Sequence, residues 1–190
     1  MERIAVIGCS GSGKSTLARA LAATTGLPLV HLDQVFWRPG WVKPSREDWL
    51  ATHARLIAEP RWILDGTHLS SLEARLAACD RAVFLDFSRW ICVARVVRRV
   101  GGGLGAVRPD SAPGCPERVD LEFLRYIWQF RRKYRPRLIE ALARHCPGEQ
   151  TLRLASPAEV RAFLEDPGAI ARLHPDSSDG PDGPANRAGP

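Results

Sequence analysis

Residues 8 to 15 read GCSGSGKS and satisfy the spacing G-x-x-x-x-G-K-[ST] of a phosphate-binding loop. Each residue type there has a mechanical reason. Gly8, Gly11 and Gly13 let the backbone curl so that successive N–H groups, that of Ser12 included, point at phosphate oxygens. A helix opening at Lys14 adds the positive end of its dipole. Lys14 is expected to reach the β- and γ-phosphates of ATP and to serve in catalysis. The Ser15 hydroxyl is expected to ligate Mg²⁺, and Thr16 to support the α-phosphate region. Cys9, inside the loop, reads as a small filler, with oxidation sensing as the alternative.

Ligands of open α/β sheets bind beyond the carboxyl ends of the strands, so acids at such ends carry weight. Asp65, in WILDG, is placed to hold the water shell of Mg²⁺, with an Asp-Gly turn as the bland alternative. Asp33, in HLDQVFWRPGW, could take a proton from a hydroxyl acceptor, a task that an ionised phosphate acceptor does not need. The alternative for Asp33 is a turn cap or a partner for Arg38. Phe36, Trp37 and Trp41 follow it and offer either a wall for a flat acceptor or a satellite core beneath a flap; Arg38 would clamp an acceptor anion or neutralise Asp33. Asp86 reads as a helix cap outside the chemistry. His31 and His68 are at most substrate contacts, because the histidines lack metal-ligand spacing.

Arg95, Arg98 and Arg99 stand at i, i+3 and i+4 of a predicted helix, and Arg108 follows in a flap. Arg95 and Arg99 are the expected catalytic cations around a transferring phosphoryl group, with a solvated basic face as the alternative. The run RRKYRPR, residues 131 to 137, reads as the solvated face of a helix whose Leu124, Ile127, Trp128 and Leu138 look like core. A nucleic-acid patch is the less favoured reading of that run.

Short apolar runs at RIAVIG, LPLVHL, RWILDG, RAVFLDF and QTLRLA alternate with helical patterns, including one from Lys14 to about Thr24. This alternation predicts an α/β fold with a five-stranded parallel sheet. Ser156, Pro157 and Glu159 spell a helix start after the last strand. Before it lies a lid insertion over about 95–120, with GGGLG as its hinge, then one helix from Asp120 to about His145. The domain is expected to span 1–165. Residues 166–190 are too poor in apolar side chains to offset the ~1 to 2 kcal/mol of entropy per ordered residue, and read as a disordered tail.

The 190 residues suit one domain, and the net charge of +6 favours anionic partners. Five scattered cysteines without a CxxC suggest neither a disulfide framework nor zinc. No apolar run approaches the ~18 to 20 residues of a membrane span or a signal-peptide core, so a cytoplasmic protein without membrane contact is expected.

Taken together, IAVIGCSGSGKSTLA, HLDQVFWRPGW, RWILDGTH, FLDFSRW and DLEFLRYIWQFRRKYRPR resemble small P-loop kinases related to adenylate kinase, especially the DNA topology modulation or flagellar-regulation-related subgroup. The resemblance covers residues 1 to about 165. It implies a P-loop NTPase fold of nucleoside/nucleotide kinase type, with an acceptor segment after the second strand and a helical lid before the fifth. The LDG step is similar to that of adenylate kinases, whereas HLDQVFW is closer to the segment after strand two in uridine-kinase-like enzymes. The expected function is ATP- and Mg²⁺-dependent phosphoryl transfer to a small nucleoside-like or nucleotide acceptor. The alternative is an ATP-binding regulator acting on DNA topology without such an acceptor.

Overall fold

A computed structural model describes residues 2–166 and 168–169. The strands are β1 (Arg3–Gly8), β2 (Leu29–His31), β3 (Trp62–Asp65), β4 (Arg81–Leu85) and β5 (Thr151–Leu154), in one sheet. All pair in parallel, in the order β2-β3-β1-β4-β5. The three central strands are apolar on both faces because helices cover both: Ile4, Ala5, Val6, Ile7, Ile63, Leu64, Ala82 and Val83 are wholly buried. The chain crosses from β1 to β2 on one side and from β3 past β1 to β4 on the other. That reversal opens a crevice at the carboxyl ends of β1, β3 and β4. Register then sets Val6 and His31 on either side of Asp65 at the crevice floor.

Helices α1 (Lys14–Thr25), α2 (Leu32–Phe36), α3 (Arg46–Ala58) and α4 (Leu72–Ala78) precede β4. Helices α5 (Arg89–Gly103), α6 (Leu121–Lys133), α7 (Arg135–His145) and α8 (Pro157–Glu165) follow it. The expected start of the last helix is present: the Ser156 hydroxyl accepts from Glu159 N–H at 3.2 Å, and Glu159 accepts from Ala155 N–H at 2.9 Å. Ser88, not Asp86, caps α5. Helix α5 runs on through Gly101, Gly102 and Gly103, so these glycines are not the hinge. Each costs about 1 kcal/mol of helix propensity relative to alanine, which weakens a helix without ending it. The part of the expected lid that is not helix α5 is the loop 104–120, closed at its neck where Gly105 N–H bonds Glu117 O and Glu117 N–H bonds Ala106 O.

The single helix expected over 120–145 is two. It breaks at Tyr134 because Pro136, in the first turn of α7, has no N–H to continue the ladder. Trp128, expected in the core, is 40% exposed. The expected tail lies outside the described residues except for Asp166, Gly168 and Ala169, and Ala169 packs against the core. Among the described residues no helix is long and apolar enough to cross a membrane.

Asp86 closes the β5 side of the sheet instead of capping a helix. Its carboxylate receives both Arg135 Nε and a terminal nitrogen at 2.7 Å, and Arg153 Nε at 2.8 Å. Burial would raise this carboxyl, but hydrogen bonds from Arg135 and Arg153, and their charges, outweigh it and hold the group below its ordinary value. A carboxyl whose pKa is lower folded than unfolded adds stability that is complete above the unfolded value of ~4. That stability is lost as pH falls through the folded value. Asp86→Asn should cost about 3 kcal/mol at neutral pH and flatten the acid limb of the melting curve below pH ~4. Identical acid limbs for the two proteins would contradict this assignment.

Candidate active site at the phosphate loop

Strand β1 ends in a backbone that only glycine adopts with ease. Gly8, Gly11 and Gly13 have φ of 146°, 82° and 98°. Space enforces two of them as well: a Cβ on Gly8 would lie 2.5 Å from Leu85 O, and one on Gly11 2.4 Å from Cys92 O of α5. The loop thus lies between β4 and α5. It turns on Ser12 N–H bonded to Cys9 O at 3.2 Å and enters α1 at Lys14, whose Nζ donates to Cys9 O at 3.1 Å. Cys9 is buried against Cys92, as a filler would be. Ser15 opens α1, and Thr16 is exposed beside it.

A clamp holds this loop to the end of β3. The Thr67 hydroxyl accepts from Gly8 N–H at 3.1 Å and donates to Gly8 O at 2.6 Å. Arg75 of α4, fully buried, donates to the carbonyls of Gly66 and Thr67 at 2.9 and 2.7 Å. Burial pushes the Arg75 guanidinium down to about 10, while the charge of Asp65 opposes the shift; it stays a cation at neutral pH. His53 is pushed down to about 4 by burial, then by Arg75 and His68, so as a neutral ring it accepts from Arg75 at 3.2 Å. Thr67 and Arg75 were not singled out from sequence. A signal existed for the second: Leu72, Arg75 and Leu76 share one face of α4, which places an arginine among core positions.

Asp65 is 4% exposed, and His31 Nδ1 lies 2.7 Å from its Oδ2. Its Oδ1 is buried and has no partner among the described residues, as has the Ser12 hydroxyl in the loop. A buried anionic oxygen without a partner fits a Mg²⁺ shell completed by water and phosphate oxygens. Asp33, half-exposed, stands in the first turn of α2 with Oδ1 at 2.9 Å from His68 Nε2. Loss of water would raise the Asp33 carboxyl. The hydrogen bond and charge of His68, then the charges of Lys14 and Arg108, outweigh this and hold it below the usual range. Asp33, Lys14 and Arg108 therefore share one electrostatic neighbourhood. Tyr126 of α6 joins it: burial pushes its phenol up, and the nearby Asp33 carboxylate adds to this.

The arginines divide. Arg95 donates to Ser12 O at 2.9 Å, directly on the loop, whereas Arg98 is exposed. Arg99 pairs with buried Glu117 at 3.0 Å, and Arg108 pairs with the same carboxylate and with Asp110 at 2.8 Å. Asp110 reaches the phosphate loop itself. Burial raises its carboxyl, but the Arg108 charge and a hydrogen bond from Ser15 outweigh that and lower it. Neither lid acid was singled out from sequence.

The aromatic segment lies against the lid. Gln34 donates to Pro109 O at 2.5 Å, Gly40 N–H to Gly114 O at 2.9 Å, and Trp41 Nε1 to Pro116 O at 3.0 Å. Its rings pack edge-to-face on one another: Phe36 on Trp37 at 5.0 Å, Phe36 on Trp49 at 4.9 Å and Trp37 on Trp41 at 5.5 Å. Arg38 turns outward to Asp48 at 3.1 Å, both half-exposed, so it does not neutralise Asp33. Charge complementarity within the surface turn decides this, since Asp33 already has His68.

The arrangement is an α/β parallel sheet with the phosphate-loop motif after β1 and a loop insertion before the last strand. No protein-family model and no curated protein sequence matches the chain. Solved structures do. A gluconokinase from Sinorhizobium meliloti 1021 shares 19% identity, with 90% of this chain and 93% of that one covered at a TM-score of 0.51. The shikimate kinase of Acinetobacter baumannii, in complex with shikimate, shares 16% over 87% and 89% at 0.54. The shikimate kinase of Bacteroides thetaiotaomicron shares 18% over 86% and 94% at 0.53. At such identity the likeness shows the fold.

Thr67→Val keeps the volume and removes both bonds to Gly8. It should destabilise the protein by about 1 to 3 kcal/mol and weaken nucleotide binding in a calorimetric titration. A variant that melts and binds like the parent would show that the clamp is idle.

Proposed function

We propose that the protein transfers the γ-phosphoryl group of ATP to a hydroxyl group of a small molecule. The observation that carries this reading is Asp33. It is a carboxylate bonded to His68 and held in its ionised form by that bond first and then by the charges of Lys14 and Arg108. An ionised carboxylate beside a bound hydroxyl orients it and takes its proton as the phosphoryl group departs. The fold's likeness to a gluconokinase and two shikimate kinases supports a small hydroxylated acceptor over a nucleotide acceptor. The resemblance to the DNA topology modulation subgroup rests on the quoted motifs alone and names no acceptor.

In this reading the N–H groups of Gly11 and of Gly13 to Thr16 bind the β-phosphate, while those of Gly8 and Ser12 hold the loop's shape on Thr67 and Cys9, and Lys14 leaves Cys9 O to bridge the β- and γ-phosphates. Ser15 and, through water, Asp65 would hold Mg²⁺, which would supply neutralisation of the phosphate charge. Arg95 and the lid cations Arg99 and Arg108 surround the transferring group. Glu117 sets the two lid cations in place. Phe36, Trp37 and Trp41 close the acceptor side against the lid and exclude water that would otherwise hydrolyse ATP.

Lys14→Ala should abolish turnover. Asp33→Asn should lower kcat by about 10² to 10⁴ while leaving the affinity for ATP near that of the parent, measured by steady-state kinetics and nucleotide titration. An Asp33→Asn enzyme with parental kcat would remove general-base transfer to a hydroxyl.

A further inference from the structure

A second constellation lies outside this cleft. Trp128, placed in the core by its sequence pattern, instead meets Trp90 edge-to-face at 4.8 Å, and the two rings are 40% and 64% exposed. The Arg89 guanidinium sits 4.4 Å from the Trp128 ring centre and 5.6 Å from that of Trp90. With Ser88, Arg131 and Arg132 these residues line a groove of 390 Å³ between the start of α5 and the last two turns of α6. Two indoles left in water cost hydration free energy that a monomer has no reason to bear.

The groove is separate from the nucleotide cleft. Successive helical residues turn by about 100°, so Trp90 points roughly opposite to Cys92, whose carbonyl meets the phosphate loop. None of the six lining side chains is acidic, and three are arginines. Arg135, on the next helix, is committed to Asp86 and does not contribute. Arg125, one turn before Trp128 on α6, and Lys133 and Arg137, after Arg132, are exposed as well. A ligand matched to this face carries flat rings for the indoles and several phosphates at spaced intervals.

We infer that the Trp90–Trp128 groove binds single-stranded nucleic acid, with bases stacked on the indoles and backbone phosphates on Arg131, Arg132 and the other exposed cations of α6 and α7. Stacking on aromatic side chains with arginines tracking the backbone is sequence-tolerant, and it distinguishes a strand from a simple polyanion. A free nucleotide would satisfy the groove but leave those other cations without a partner.

The test is fluorescence anisotropy of the full-length protein with a labelled oligothymidylate of about 20 nucleotides, across a salt series. Binding should appear at low salt, and Trp128→Ala should weaken it at least ~10-fold. Trp128→Phe, which keeps a ring, should recover most of the loss. Arg131→Ala with Arg132→Ala should reduce the slope of log K against log salt by about 1.4, two phosphate contacts on a single strand. ATP turnover should be unchanged in all of these variants, since none of the residues belongs to the cleft. Heparin or duplex of equal length binding as tightly, without dependence on Trp128, would overturn the inference, as would displacement of the strand by an equal concentration of thymidine monophosphate. So would sedimentation showing a dimer that Trp90→Ala dissociates, because a second copy would then cover the indoles.

Discussion

One hydroxyl group joins the two strands on which the site depends. Thr67, two residues past β3, both receives from and donates to Gly8 at the end of β1, so neither peptide group of that junction is left unpaired. A phosphate loop binds by fixed backbone dipoles, and a loop whose anchor drifted would lose its preorganisation before any side chain changed. Arg75 extends the constraint by tying the carbonyls on either side of the Gly66–Thr67 peptide to α4, from a position that no water reaches. Thr67 thus transmits the packing of α4 to the loop. The tight contacts of Gly8 and Gly11 with Leu85 and Cys92 close the loop from the other side, and a methyl group at either would collide with backbone.

The side of the cleft next to the loop 104–120 is held by charge. Glu117 is buried with two arginines on it, an arrangement in which removing one partner costs more than the pair contributes. The lid acid Asp110 lies near enough to Ser15 for the hydroxyl to lower its carboxyl, and the lid carbonyls of Pro109, Gly114 and Pro116 accept from the aromatic segment. Lid, aromatic segment and phosphate loop are thereby one connected unit. Trp41 adopts φ of 65°, a left-handed backbone that costs a tryptophan about 1 to 2 kcal/mol, and its indole bond to Pro116 O helps hold it there.

The fold was largely legible in the sequence because its signals are local. Buried strands read as apolar runs, the phosphate loop as glycines at fixed spacing, and the last helix as a capping box. The residues that escaped reading act through partners distant in the chain. Arg75 meets carbonyls of the loop before its helix, Glu117 meets Arg99 from across the lid neck, and Asp86 meets Arg135 and Arg153 instead of the helix beside it. Periodicity also misplaced Trp128: its helix turns at the right rate for burial, but the neighbouring surface is Trp90 and Arg89 and not core. Arg38 shows the same limit at short range, since nothing in HLDQVFWRPGW indicates that Asp48 lies closer than Asp33.

The central claim is transfer of a phosphoryl group to a carbon-bound hydroxyl. Its most direct measurement follows the fate of γ-labelled phosphate on wild-type protein supplied with Mg²⁺, ATP and panels of hydroxy acids, polyols, nucleosides and nucleoside monophosphates. Label should be recovered as a phosphate monoester on a hydroxylated acceptor, well above the rate of ATP hydrolysis in water. Label recovered as the β-phosphate of a nucleoside diphosphate, or only as inorganic phosphate with every acceptor, would contradict it.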